Sequence, residues 1–346
     1  MVERESTLIR SVTARLCTRT TGKWEAVAPA RRIACGAMTV IVRDARPEDP
    51  ADAEGYARVR RAALPWMLAT ARQVAHDWAH AHPDAHNRPL VAEVDGEIVG
   101  TAEVSLAHES PEPGSAVVNV FVHPDHTRLG AGALLLRAAE EHLAGAGATT
   151  LYSWVLDEPG FRAFAERHGY RGSRSAHFLR LDLTTAVLPP LQEPPAGVEL
   201  RTAADFAADP RPLFELDAVT TADEPGDVDA VLDDYAHWLA TTWNHPLNDL
   251  ALTTVAVADG RPVAFSAART DGLGRYGSGM TGTHPAHRGR GLAKLVKNDS
   301  LHRARAAGCT EALTGNDAGN GPMLAVNRWF GYEIRATEVR HVRTLG

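Results

Sequence analysis

Two stretches of the chain join a His-Pro-x-His step to a small-residue loop and a long helical run. They are VFVHPDHTRLGAGALLLRAAEEHLAGAGA from Val120 and GTHPAHRGRGLAKLVKNDSLHRARAAGC from Gly282. A glycine-rich loop between a strand and a helix leaves backbone N–H groups pointing outward, and the helix dipole adds partial positive charge, so this pattern suits a phosphate-bearing ligand. A second chemical feature is acidic. From Val198 to Leu250 twelve Asp or Glu stand against only Arg201 and Arg211, concentrated around TADEPGDVDAVLDD. There Asp223, Glu224 and Asp227 could bind a cationic amine and relay its proton, with solvated helix and loop charge as the plainer reading.

The elements that must position these residues repeat as well. TVIVRDARPED from Thr39 and GVELRTAADF from Gly197 each read as a short alternating strand, a polar turn and a helical stretch. LVAEVDGEIVGTAEV and TTVAVADGRPVAFSAA each read as a hairpin turning at Asp-Gly. The order in each half is strand, helices, hairpin, strand, loop, helix, strand and final helix. The expected fold class is therefore α/β, a mixed sheet flanked by helices, in two tandem domains over residues 38–183 and 198–346. Residues 184–197, with Pro189, Pro190, Pro194 and Pro195, read as a stiff linker, and residues 1–37 as an extension outside the fold.

The loop His287 to Ala293, HRGRGLA, resembles the acyl-CoA loop of the GCN5-related N-acetyltransferase (GNAT) family, with Arg288, Gly291 and Ala293 at its defining places. Tandem acetyltransferases of the mycothiol synthase type have the same two-copy architecture. The resemblance covers most of residues 39 to 346 and implies an N-acetyltransferase that moves an acetyl or short acyl group from acetyl-CoA to a primary amine. It assigns donor binding to Thr281, Gly282, Thr283, Arg288, Gly289, Arg290, Gly291, Leu292 and Ala293. From TGNDAGNGPMLAVNRWFGYE it adds Asn320 at a helix start and Asn327 for the donor, and Asn316, where the sheet splays, as a catalytic candidate beside Asp223 and Glu224. Pantetheine is peptide-like, so amide partners and free strand edges suit it, although asparagine is also a common helix cap.

The first copy departs from that pattern. Gly130 and Gly132 are kept, but Thr127 replaces the arginine, and no asparagine pair follows. A second donor site there would use Phe121, Val122, Arg128, Leu129, Gly130, Ala131 and Gly132. Many family members carry a tyrosine as the acid for the leaving thiolate four residues before the final Gly-aromatic pair, and here that place holds Asn327 or Ala165. Water or Tyr332 could supply the proton instead. Acyl-CoA binding without turnover, or tRNA-dependent aminoacyl transfer, are the alternatives; the intact loop weighs against the second.

Composition sets the remaining bounds. The 346 residues are 44% apolar with a net charge of −7, which fits globular domains, disfavours general nucleic-acid binding and leaves room for a cationic substrate. Thr281 to Gly346 runs the other way, with ten Lys or Arg against five acids, as a polyanionic ligand would favour. Three cysteines make no disulfide framework, and Cys309 reads as a small apolar residue. No apolar run suits a membrane span, so a cytoplasmic monomer or homodimer acting on a small-molecule amine is expected. Lysine occurs only at Lys23, Lys294 and Lys297. His76, His80 and His86 have the H-x3-H-x5-H spacing of some zinc proteases, but Asp77 and Pro83 stand where that site needs Glu and Gly, and no metal is expected.

Overall fold

The computed structural model describes residues 39–110, 112–223 and 231–345. The first repeat runs β1 (Val40–Asp44), α1 (Pro50–Ala63), α2 (Ala71–Ala79), β2 (Leu90–Val94), β3 (Glu97–Leu106), β4 (Ser115–Val122), α3 (Ala131–Gly145), β5 (Thr150–Leu156), α4 (Pro159–Arg167) and β6 (Arg171–Asp182). The second runs β7 (Val198–Thr202), α5 (Arg211–Thr221), α6 (Tyr235–Trp238), β8 (Thr254–Ala258), β9 (Arg261–Thr270), β10 (Arg275–Thr283), α7 (Leu292–Ala306), β11 (Glu311–Asp317), α8 (Gly321–Trp329) and β12 (Glu333–Thr344).

Local chemistry accounts for the boundaries. Asp49 caps α1 by accepting from the Ala51 amide, and Pro50 follows at the first helical position. Thr70 and Gln73 form a reciprocal capping box at the start of α2. Both hairpins turn at Asp-Gly pairs in which both residues have positive φ, Asp95 and Gly96 in one and Asp259 and Gly260 in the other. That is the geometry a tight two-residue connection needs. Beside β1, Asp52 is buried yet ion-paired with Arg43 and Arg46. Burial pushes its pKa up, but the hydrogen bonds from both arginines outweigh this and hold the carboxyl well below the usual carboxylate range.

All twelve strands join one sheet in the order β1-β2-β3-β4-β5-β12-β6-β11-β10-β9-β8-β7. Each repeat's last strand crosses over. β12 pairs with β5 of the first repeat, while β6 pairs with β11 of the second, and β6 and β12 pair with each other at the centre. The repeats are thus stitched together by backbone ladders.

One helix from each loop packs on the sheet. α3 buries Leu135, Leu136, Ala139 and Leu143. The helix α7 buries Leu292, Leu295, Val296 and Leu301 and also Lys297. The proline-rich segment lies along α7: Asn298 Nδ2 donates to the Pro190 carbonyl at 2.9 Å, His302 Nε2 to that of Pro189 at 2.9 Å, and Arg305 Nη2 to that of Ala186 at 2.7 Å.

Candidate active site

In the second repeat, β10 ends in a short turn, Pro285–His287, and Gly291 then caps the start of α7. Gly289 and Gly291 have φ of +75° and +78°, and a Cβ at either would meet no atom within 4 Å. The backbone therefore turns left-handed twice, where glycine is cheap, and leaves open space above the first amides of α7. Arg288 Nε donates to the Thr283 carbonyl at 3.2 Å, and its guanidinium pairs with Asp223. Arg290 turns back onto His287 Nδ1 at 3.0 Å.

Behind the loop lies a cavity of about 960 Å³. It exists because β10 and β11 part. Their parallel pairing covers only Arg275–Gly277 against Glu311–Leu313, and the β10 register against β9 slips between Ser278 and Thr281. Such a bulge bends a strand and frees its edge groups. Of the donor residues expected from sequence, all line this cavity except Arg290 and Asn327, and the catalytic candidate Asn316 lines it too. Asn327 is buried, and its Nδ2 donates to Asn316 Oδ1. Asn320 does cap α8, accepting from the Met323 amide at 3.2 Å, while also lining the cavity.

The far end of the cavity is built by α5, α6 and β9. Asp217 on α5 is its carboxylate. It accepts from Trp238 Nε1 at 2.8 Å, and burial raises its pKa against that bond and the charge of Arg269. Arg269 lines the same chamber with its side chain exposed. Trp238 and Trp243 supply apolar wall. The acidic pattern therefore holds two different carboxylates: Asp223 sits on the loop arginine, and Asp217 reaches the chamber. Glu224 and Asp227 lie outside the described residues. Sequence reasoning missed Asp217 because one acid among twelve carries no mark of burial.

It also missed Lys297, which lines the same cavity with only 1% of its surface exposed. Its Nζ lies 5.2 Å from the Tyr332 ring centroid, and burial alone pushes its pKa down to about 7. The Tyr332 hydroxyl is buried without a hydrogen-bond partner.

The first repeat keeps the loop shape with a more apolar wall. Gly130 has φ +90° and Arg128, a non-glycine, +66°. Its cavity of about 710 Å³ is lined largely by apolar groups such as Val120, Phe121, Leu136, Trp154 and Phe164. Of the expected second-site residues, Phe121 and Val122 line it, and the loop residues 128–132 do not. One titratable group there, Glu338, comes from the exchanged strand β12, and burial raises it to about 7 against Arg340 and Arg174.

The histidines of the zinc-like spacing do not converge. His76 Nε2 contacts the Ala240 carbonyl and His80 Nδ1 the His76 carbonyl, both at 2.9 Å, while the His86 carbonyl accepts from His142 Nε2. A different set, His108, Glu109 and His237, brings ligand atoms within 4.8 Å of one another; a tetrahedral zinc would draw them to roughly 3.4 Å. Cys309 packs beside the second core, and burial raises its thiol. No helix of the described residues is long and apolar enough to cross a membrane.

Comparison with known proteins agrees with this geometry. The model of the acetyltransferase (GNAT) family matches residues 56–170 and 216–332. A mycothiol acetyltransferase of Kineococcus radiotolerans is 32% identical over 255 residues, covering 73% of this chain and 80% of that protein. One from Nocardioides sp. is 31% identical over 244 residues, covering 66% and 80%. Among solved structures, a tandem GNAT protein from the clavulanic acid biosynthesis pathway superposes with a TM-score of 0.66 at 22% identity, covering 89% of this chain and 99% of that one. A GCN5-related N-acetyltransferase from Sphaerobacter thermophilus gives 0.65 at 23% identity, covering 88% and 95%. Those two show the fold. With one family match in each repeat, the chain belongs to the GNAT acetyltransferase family as a tandem member, and is an N-acetyltransferase.

Proposed function

We propose that the protein transfers an acetyl group from acetyl-CoA to the primary amine of a small metabolite, and that the reaction takes place in the second repeat. One observation carries this reading: a single cavity has an open anion-binding loop at one end and the Asp217 carboxylate at the other. Acetyl-CoA supplies the activated thioester. The amides of residues 288–293 and the start of α7 would hold its pyrophosphate, and Arg288 would add charge. The freed edges of β10 and β11, with Asn320, would pair with the amides of pantetheine.

Asp217 would hold the acceptor as its neutral amine and take the proton that the nitrogen sheds as the amide forms, since a carboxyl whose pKa is raised by burial is a better base near neutral pH. Arg269 gives the chamber a positive group beside that acid, which suits an amine that also carries an anionic or strongly polar group better than a polyamine. The relatives named mycothiol acetyltransferases make an acceptor from mycothiol formation a candidate. Thr127 and an apolar wall leave the first repeat a structural partner.

The test is acetyl-CoA consumption with amino sugars, amino-acid amides and polyamines, read as thiol release and as acetylated product by mass spectrometry. A product from one of the first two classes is expected, with kcat/KM about 10²-fold lower in Asp217→Asn. A protein that binds acetyl-CoA and acetylates no amine would instead be a donor-binding protein.

A further inference from the structure

Lys297 is an expensive residue to place where it lies. A buried ammonium without a counter-ion is strongly unfavourable, and such groups persist chiefly where a site uses them. Among the described residues no carboxylate compensates it; burial is the sole cause of its shift. The charged groups on the elements around it are engaged elsewhere. Asp299, on the same helix, pairs with Arg303 and accepts from Thr254, and Lys294 lies over Trp329. Glu311 on β11 pairs with Arg180 and Arg275, and Asp317 with Arg174. Arg328 on α8 lines a separate surface pocket, and Arg269 on β9 faces the acceptor chamber. The titratable groups that remain beside it are the Tyr332 phenol and, next to that, the Tyr276 phenol, whose hydroxyl is already bonded to Ser300 at 2.8 Å.

Residue choice points the same way. Of 36 basic residues, lysine appears at three positions, so arginine is this chain's default cation. Arginine cannot give up its proton in a protein, and lysine can. At the matching position of α3, counted from the loop glycine, stands Leu136, which is buried and lines the first cavity. The fold needs no lysine there. Asn327, at the place of the family's usual tyrosine, has no acidic proton to give.

We propose that Lys297, as its ammonium, is the acid that protonates the departing CoA sulfur. This rests on the donor site assigned above. As the acceptor nitrogen bonds to the carbonyl carbon, the C–S electron pair passes to sulfur and the Lys297 N–H proton follows it. Lys297 is left neutral and regains a proton from solvent through the cavity, while the acceptor's own proton goes to Asp217. An ammonium titrating near 7 is a stronger acid than an ordinary thiol at about 8.5, so the transfer runs downhill.

The experiment is the pH dependence of kcat for acetyl transfer from acetyl-CoA to the amine identified above, in the wild type and in Lys297→Met, with calorimetry of CoA to establish binding. Methionine has similar length and removes a buried charge, so the variant is expected to fold. In the wild type kcat should fall as pH rises above about 7, where the ammonium is lost. In the variant that limb should vanish and kcat should drop at least about tenfold, with CoA affinity changed less than about threefold. A variant that binds CoA and keeps the wild-type kcat and pH profile would overturn the proposal. A wild-type kcat that does not fall between about pH 7 and 10 would overturn it without the variant. Failure of the wild type to bind CoA would remove the donor-site reading itself, and the proposal with it.

Discussion

The two repeats share a loop, a helix and a splayed strand pair, and differ in what those elements enclose. In the second, the strand before the loop slips register between Ser278 and Thr281, whereas β4 pairs with β3 without a slip from Ala116 to Val122. In the second, Tyr332 has no partner for its hydroxyl; in the first, the Tyr170 hydroxyl donates to Glu140 at 2.9 Å. Lys297 stands against Leu136, and Gly289 against a left-handed Arg128. Two of these changes in the first repeat satisfy a group or add apolar contact, while Arg128 costs strain. The second keeps a slipped strand and an unpaired tyrosine hydroxyl beside its cavity, the condition expected where binding and proton transfer take precedence over stability.

The comparison can be broken most severely at the loops. Gly291→Glu places bulk and negative charge over the amides of α7 and should abolish the acetyl-CoA-induced rise in Tm, while Gly130→Glu should leave it intact. Equal loss in both would mean that the repeats share one donor site. Next comes an exchange of wall residues. Leu136→Lys puts an unpaired amine into the apolar cavity and should destabilise by about 4 kcal/mol in urea unfolding, the cost of a pKa lowered by roughly three units. A much smaller loss would show that the first cavity is already wet.

The resident lysine should show itself in the apo protein through pH. Its folded pKa, about 7, lies below the unfolded value, so between the two the unfolded chain holds the extra proton. Stability from this group therefore rises with pH from about 7 to 10, by up to about 1.4 kcal/mol per unit, and is lost as pH falls back through that window. Urea midpoints of the wild type should climb relative to those of Lys297→Met, and parallel curves would place the lysine in water. The smallest effect is expected at Arg128→Gly, which removes a left-handed non-glycine and should raise stability by about 0.5–1 kcal/mol. A loss would show that the Arg128 side chain makes a contact worth more than its strain.

Much of this was legible in the chain. The repeat, the Asp-Gly hairpins and the loop Arg288 to Ala293 are local patterns whose residues have local reasons. The exchange of β6 and β12 was not, because alternation marks a strand and says nothing about whose edge it joins. Asn316 and Asn320 were named by motif, and both line the cavity. Asp217 and Lys297 were missed for one reason: charge in sequence reads as surface, and only packing reveals that α5 and α7 turn these two inward. For Lys297 a signal was present in the register of the repeats, which aligns it with a leucine inside a helical apolar face.

The central claim is that a single donor site exists and lies in the second repeat. Isothermal titration of the wild-type protein with acetyl-CoA tests it most directly. The account predicts one site per chain. Two sites would show that the first repeat binds the donor despite Thr127 and its apolar wall, and none would contradict the donor assignment altogether.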